Sequence, residues 1–236
     1  MAGHLRFDID SDELAQKLGG GLPRSALGVV VGPAGGGKSI LCQRVAYGVL
    51  RHGGKVAMVS SELDLWGFLE QMRNVGYAVE MDYLARKLTF HSTHPRGRNV
   101  VPRPLHLRRL LASGVHREAD LVIVDRFSSL LRDAQALGLP ASTPVDAALH
   151  VLLQWSRQGK TVLLTVDPED MGDDDLSALE RVMDMYFEVR EEMVGQTALH
   201  LLKVRRFARP MRRVTDIIGF RVEPGAGILL EIKAVH

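Results

Sequence analysis

The chain contains one cysteine, Cys42, which excludes a disulfide framework and leaves no CxxC or Cys/His spacing from which to build a zinc site. Neither sign of charge dominates. Thirty basic residues face 28 acidic ones for a formal charge of +2, so the overall balance demands neither nucleic acid nor an acidic membrane surface. Aromatic residues make up only 6% of the chain, and no strip interleaves them with basic residues as single-stranded nucleic-acid binders do. No run approaches the roughly 20 apolar residues of a membrane helix. Met1 to Glu13 carries Asp8, Asp10, Asp12 and Glu13 without an apolar stretch, unlike a signal or transit peptide. Fixed-period repeats and low-complexity tracts are also missing. These absences lead us to expect a cytoplasmic protein in a reducing compartment, drawn to a membrane only by partners.

What is present suffices for a full core. With 46% apolar and 25% charged residues in 236, a single domain over residues 1–236 is expected. Leu27 to Val31, Lys55 to Ser60, Leu121 to Val124 and Thr161 to Val166 are continuously apolar rather than alternating, the pattern of strands buried on both faces. Between them, Leu65, Phe68, Leu69 and Met72 follow the i, i+3, i+4, i+7 spacing of a helix, and Leu105 to Leu111 and Ala147 to Trp155 are further helical segments. Strands alternating with helices predict an α/β fold with a mainly parallel central sheet flanked by helices. From about residue 185 helices disappear. Met185 to Arg190, Thr197 to Arg205, Ile217 to Val222 and Ile228 to Ile232 are expected to pair antiparallel, the last two around the turn Glu223-Pro224-Gly225-Ala226-Gly227.

Gly32-Pro33-Ala34-Gly35-Gly36-Gly37-Lys38-Ser39 matches GxxxxGK[ST], with a buried strand before it and a helix after it. Glycines let successive backbone N–H groups converge on phosphate oxygens where side chains would collide, and the following helix adds its positive end. The expected nucleotide contacts are Gly32, Ala34, Gly35, Gly36, Gly37, Lys38, Ser39 and Ile40. Lys38 is expected to reach the β and γ phosphates of ATP, and Ser39 a magnesium ion. A second metal position is expected at Asp125, which ends the buried run Leu121-Val122-Ile123-Val124 as in a Walker B element. The competing reading is a carboxylate that caps the next helix. Glu62, just past the Lys55 to Ser60 strand, is the expected group to polarise an attacking water. Asp64 competes for that role, and a helix-start acid is the plainer alternative.

A glutamate after the strand that follows the P-loop helix, rather than beside Asp125, resembles the RecA superfamily and within it the KaiC-like branch. The approach Leu18-Gly19-Gly20-Gly21-Leu22-Pro23 resembles that branch, as do Lys203-Val204-Arg205, similar to its K-x-R element, and Phe220 to Ile228, similar to its F-x-V-[DE]-P-G-x-G-I hairpin. The Ser60-Ser61-Glu62 and Glu223-Pro224-Gly225 segments are most similar to the accessory ATP-binding proteins of the archaellum motor. The resemblance implies a RecA-like P-loop fold and a hexameric ring. It also implies contact with the archaellum assembly ATPase and the membrane platform protein, a nucleotide contact at Glu223, and Lys203 and Arg205 acting on the ATP of a neighbouring subunit. Two departures stand out. Glu62 is followed by Leu63 where KaiC has adjacent glutamates, and Arg126 follows Asp125 where a small hydroxyl residue is usual.

The basic stretch Lys203, Arg205, Arg206, Arg209, Arg212 and Arg213 has two other readings besides trans action: a nucleic-acid strip, and a solvated edge whose charges suppress aggregation. The acids Asp167, Glu169, Asp170, Asp173, Asp174 and Asp175 read as an exposed loop that would dock on that basic stretch of a neighbour. Arg96 to Arg109 reads as a basic surface loop opening a helix.

Overall fold

The computed structural model describes residues 3–93, 102–136, 144–194 and 197–231. In chain order, β1 (His4–Leu5), α1 (Leu14–Lys17) and β2 (Leu22–Pro23) precede the core units β3 (Ala26–Val31), α2 (Lys38–Arg51), β4 (Val56–Ser60), α3 (Leu65–Asn74), α4 (Glu80–Leu84) and β5 (Leu88–Ser92). There follow α5 (His106–Ala112), β6 (Leu121–Asp125), α6 (Phe127–Gln135), α7 (Pro144–Arg157), β7 (Thr161–Val166) and α8 (Asp173–Val182). The described chain ends with β8 (Met185–Val194), β9 (Thr197–Phe207), β10 (Ile217–Glu223) and β11 (Gly227–Glu231). Of the basic segment Arg96 to Arg109, residues 96–101 lie outside the described residues, as does Ile232.

β1 and β2 form a small antiparallel ribbon, and the other strands make one nine-stranded sheet in the order β11-β10-β9-β8-β3-β7-β6-β4-β5. The members from β8 to β5 run parallel, while β8 to β11 pair antiparallel. β8 therefore corrects one expectation. It pairs antiparallel only with β9, and on its other edge it lies parallel to β3, joining the meander to the parallel core.

Every residue of β3, β4, β6 and β7 is buried, as their uninterrupted apolar composition requires. The pleat distributes them. Leu121 and Ile123 enter the core layer under α2 and α3, with Val30, Met58 and Phe68, whereas Val122 and Val124 enter the opposite layer under α6 and α7, with Val59, Phe127 and Leu152.

The segment before β3 is fastened by an ion pair inside the first layer. Arg44 of α2 and Asp12 are 0% and 1% exposed, with Arg44 Nε donating to Asp12 Oδ2 at 2.6 Å and Nη1 to the Phe7 carbonyl at 2.8 Å. Gly48, one turn on, has no alternative in that packing, because a Cβ would lie 2.1 Å from the same Phe7 oxygen. At the far end, the β10–β11 turn is fixed to the end of α3: Gly225 N donates to Asn74 O at 2.7 Å, and Ile228 N to Tyr77 Oη at 2.8 Å.

Truncating one member of a buried ion pair leaves the other charge uncompensated. Asp12→Ala is expected to lower the unfolding free energy by about 3 kcal/mol, measured by denaturant titration. A loss below about 1 kcal/mol would show that the Phe7 carbonyl alone satisfies Arg44.

Candidate functional site

β3 ends at Val31 and α2 starts at Lys38, and the loop between them is shaped by contacts only glycine permits. At Gly32 a Cβ would stand 2.2 Å from the Val189 carbonyl of β8, while Gly37, the residue before α2, has φ +93°. Lys38 folds back along the loop, its Nζ donating to the Gly32 and Pro33 carbonyls at 2.6 Å each. Burial pulls its ammonium below the ordinary lysine value, opposed by nearby Asp167 and Asp125.

Beneath the loop, Ser39 Oγ donates to Asp125 Oδ1 at 2.9 Å, so the expected metal positions of α2 and β6 do meet. β7 lies between β3 and β6, and its Thr165 completes the contact by donating from Oγ1 to the same Asp125 oxygen at 2.7 Å. Asp125 is 1% exposed, and its Oδ2 is buried without a hydrogen-bond partner among the described residues. Burial raises its carboxyl above the usual range, while the Thr165 and Ser39 hydrogen bonds hold it down. A buried carboxylate oxygen left open beside a serine hydroxyl fits a hard divalent cation such as magnesium.

Ser60 Oγ accepts from the amides of Glu62 and Leu63 at 3.2 and 3.1 Å, which turns the chain so that Glu62 faces the loop. Asp64 is committed elsewhere: it caps α3, accepting from Gly67 N at 2.8 Å. Arg126 Nη1 donates to Glu62 Oε1, so the residue that departs from the family pattern contacts the expected base directly.

The phosphate loop, Glu62 and Arg126 line one cleft of about 340 Å³. Ala34 to Ile40, Glu62, Arg126 and Asp167 are joined there by Gln71, Val75 and His200, on which no motif reports, and by Val222 of the closing hairpin. Strand alternation could have found His200: it shares a face with Leu202, which packs in the layer under α2. Its ring lies against Phe220, with centroids 5.1 Å apart, and its Nδ1 is buried without a partner among the described residues.

Glu223 is not part of this lining; it ends β10 and pairs with Arg221 at 3.0 Å, while its neighbour Val222 faces the cleft. Lys203 and Arg205 are exposed on β9 and also stand outside the cleft of their own chain. Arg205 occupies a bulge, since the register passes from Arg206 opposite Tyr186 to Val204 opposite Phe187; its Nε lies 3.5 Å from Glu188 Oε1. The acidic segment is not a free loop. Asp167 is buried, Asp170 is engaged by Arg132 and Ser128, and Asp173, Asp174 and Asp175 form the first turn of α8, where the helix dipole favours them.

With this geometry in place, the family model described as "ATPase: KaiC" matches residues 11–228. The chain belongs to the KaiC ATPase family. Among its relatives is the archaeal flagellar ATP-binding protein FlaH of Methanocaldococcus jannaschii, 27% identical over 231 residues and covering 98% of this chain and 97% of that protein. FlaH of Methanococcus voltae is 21% identical, covering 98% and 99%. The crystal structure of the M. jannaschii FlaH superposes with a TM-score of 0.88 at 26% identity, over 98% of this chain and all of that one. A KaiC-like protein of Pyrococcus horikoshii shares the fold alone, with TM-score 0.73 and 16% identity over 98% of this chain and 100% of that one. The RecA-like fold expected for a KaiC member is thus the one observed. Among the described residues no helix is long and apolar enough to cross a membrane.

Thr165 is the residue whose removal should disturb this KaiC site most without touching the loop. Thr165→Val withdraws a donor from Asp125 and an acceptor from the Arg126 amide, and is expected to lower unfolding stability by about 2 kcal/mol in a denaturant titration.

Proposed function

We propose that this chain binds ATP with magnesium and that the bound nucleotide controls assembly of a hexameric ring and contact with the archaellum motor. Hydrolysis in this reading is slow or partner-dependent. The observation that carries the reading is the meeting of Ser39 and Asp125 under a glycine loop, with one Asp125 oxygen left open. Ser39 and Asp125 would hold magnesium, which when bound neutralises charge on the β and γ phosphates.

The other roles belong to the chain's own side chains. Backbone N–H groups of Ala34 to Ser39 receive phosphate oxygens at the start of α2, and Lys38 exchanges a loop carbonyl for a β or γ oxygen. Glu62 orients and accepts a proton from the attacking water. Lys203 and Arg205 serve a neighbour's nucleotide. Their exposure away from their own cleft supports action between subunits, and the bulge at Arg205 supports a side chain turned out of the regular ladder. The archaellum assembly ATPase and membrane platform protein are the proposed partners, on the likeness to FlaH, and the place of action is the cytoplasmic face of the membrane.

Magnesium ATP at about a hundred times its dissociation constant should stabilise the fold by about 2.7 kcal/mol, seen as a rise in Tm, and Lys38→Ala should abolish most of the rise. An unchanged Tm together with normal behaviour of Lys38→Ala would refute nucleotide binding at this loop. Phosphate release measured across protein concentration tests the ring: turnover per chain should rise with concentration, and Glu62→Gln and Arg205→Ala should each suppress it. Background turnover at every concentration would make the nucleotide a switch or a structural ligand.

A further inference from the structure

Arg126 has features that neither the P-loop nor the trans elements account for. It has φ +59° at the start of α6, a left-handed conformation that costs a non-glycine residue on the order of 1 kcal/mol. That backbone is held by its own amide, which donates to Thr165 Oγ1 at 2.6 Å, and Thr165 in turn donates to Asp125. The side chain lines the cleft together with Lys38, Ser39 and Glu62. Its guanidinium is held by carboxylates on both sides: Nη1 donates to Glu62 Oε1, and Nη2 stands 3.6 Å from Asp170 Oδ2. Asp170 has other partners in Arg132 and Ser128 Oγ, the latter at 3.1 Å.

We propose that Arg126 distinguishes a nucleoside triphosphate from a diphosphate within its own chain, exchanging the Glu62 carboxylate for the terminal phosphate and so releasing Glu62. The assignment rests on the nucleotide reading above. Lys38 and Ser39, the latter backed by Asp125, mark the β–γ end of the cleft, and Arg126, next in the chain to Asp125, lines the same cleft. In the cleft lining Glu62 and Asp167 already balance Lys38 and Arg126, so a terminal phosphate entering there competes with Glu62 for the guanidinium. A planar fork that grips carboxylate also fits phosphate. Nothing buried is stranded by the exchange: the Glu62 side chain is 45% exposed and can turn to water, and Asp170 keeps Arg132 and Ser128. A diphosphate presents no group at that position and leaves Glu62 tied.

The test is calorimetric binding of magnesium ADP and of the non-hydrolysable β,γ-imido analogue of ATP to the original chain, Arg126→Gln, Arg126→Lys and Glu62→Gln. Arg126→Gln should weaken the triphosphate analogue about tenfold or more, as expected for a lost charge-assisted hydrogen bond, and leave ADP within about twofold. Arg126→Lys should recover part of the loss, and Glu62→Gln, which removes the competing carboxylate, should tighten the triphosphate analogue relative to ADP. An unchanged ratio of the two affinities in Arg126→Gln overturns the assignment while leaving nucleotide binding intact. If Arg126→Gln does not fold, Glu62→Gln decides alone, and no gain in that ratio overturns it. An original chain that binds neither nucleotide overturns the nucleotide reading and this assignment with it.

Discussion

Asp125 closes a strand in which every residue is buried, and a carboxylate in that position must find donors or give up its charge. It finds them in Ser39 from the phosphate loop helix and Thr165 from β7, which lies between β3 and β6. One oxygen thus ties three elements of the parallel core, while the second is buried without a hydrogen-bond partner among the described residues. The position of the carboxylate follows from this one contact. The same Thr165 hydroxyl accepts a hydrogen bond from the Arg126 amide, so the backbone of Arg126 just before α6 depends on it as well.

The antiparallel extension has a structural role in the cleft. β8 continues the sheet from β3 so closely that Gly32 tolerates no side chain, and β9 and β10 bring His200, Phe220 and Val222 up to Gly37 and the start of α2. The β10–β11 turn is in turn fastened to the end of α3 and the residues after it through Asn74 and Tyr77, and Gln71 of α3 and Val75 just past it line the same cleft. The parallel core holds the phosphate end, and the meander and α3 wall the rest. Further along α2, the Arg44–Asp12 pair fixes the leading segment to the helix that carries Lys38 and Ser39.

Much of this was legible in residue order. Continuous apolar runs announced β3, β4, β6 and β7, because a strand covered on both faces has no solvent side to make polar. The glycine loop announced itself through spacing that only backbone convergence on an anion requires. Less visible were groups whose role depends on a partner far away in the chain. Thr165 reads as one more β-branched strand residue until β7 is inserted beside β6, and His200 reads as a polar residue in a strand until its face is known. Asp173 to Asp175 read as a loop because acids favour both loops and first helical turns. β8 read as antiparallel because helices end before it, although its other edge was free to join β3.

Residue order alone accounts for the local identities: an α/β chain, a phosphate loop between a buried strand and a helix, and a carboxylate at a strand end. These follow from periodicity and from residue types that only one local geometry suits. The tertiary structure decided which of the competing acids faces the loop, since Ser60 turns Glu62 inward while Asp64 is used as a helix cap. It also decided that Arg126 lies against Glu62 rather than in solvent, and that Lys203 and Arg205 stand away from their own cleft. Those outcomes depend on strand order and on which hydroxyl lies beside which carboxylate, contacts between residues distant in the chain that no local pattern encodes.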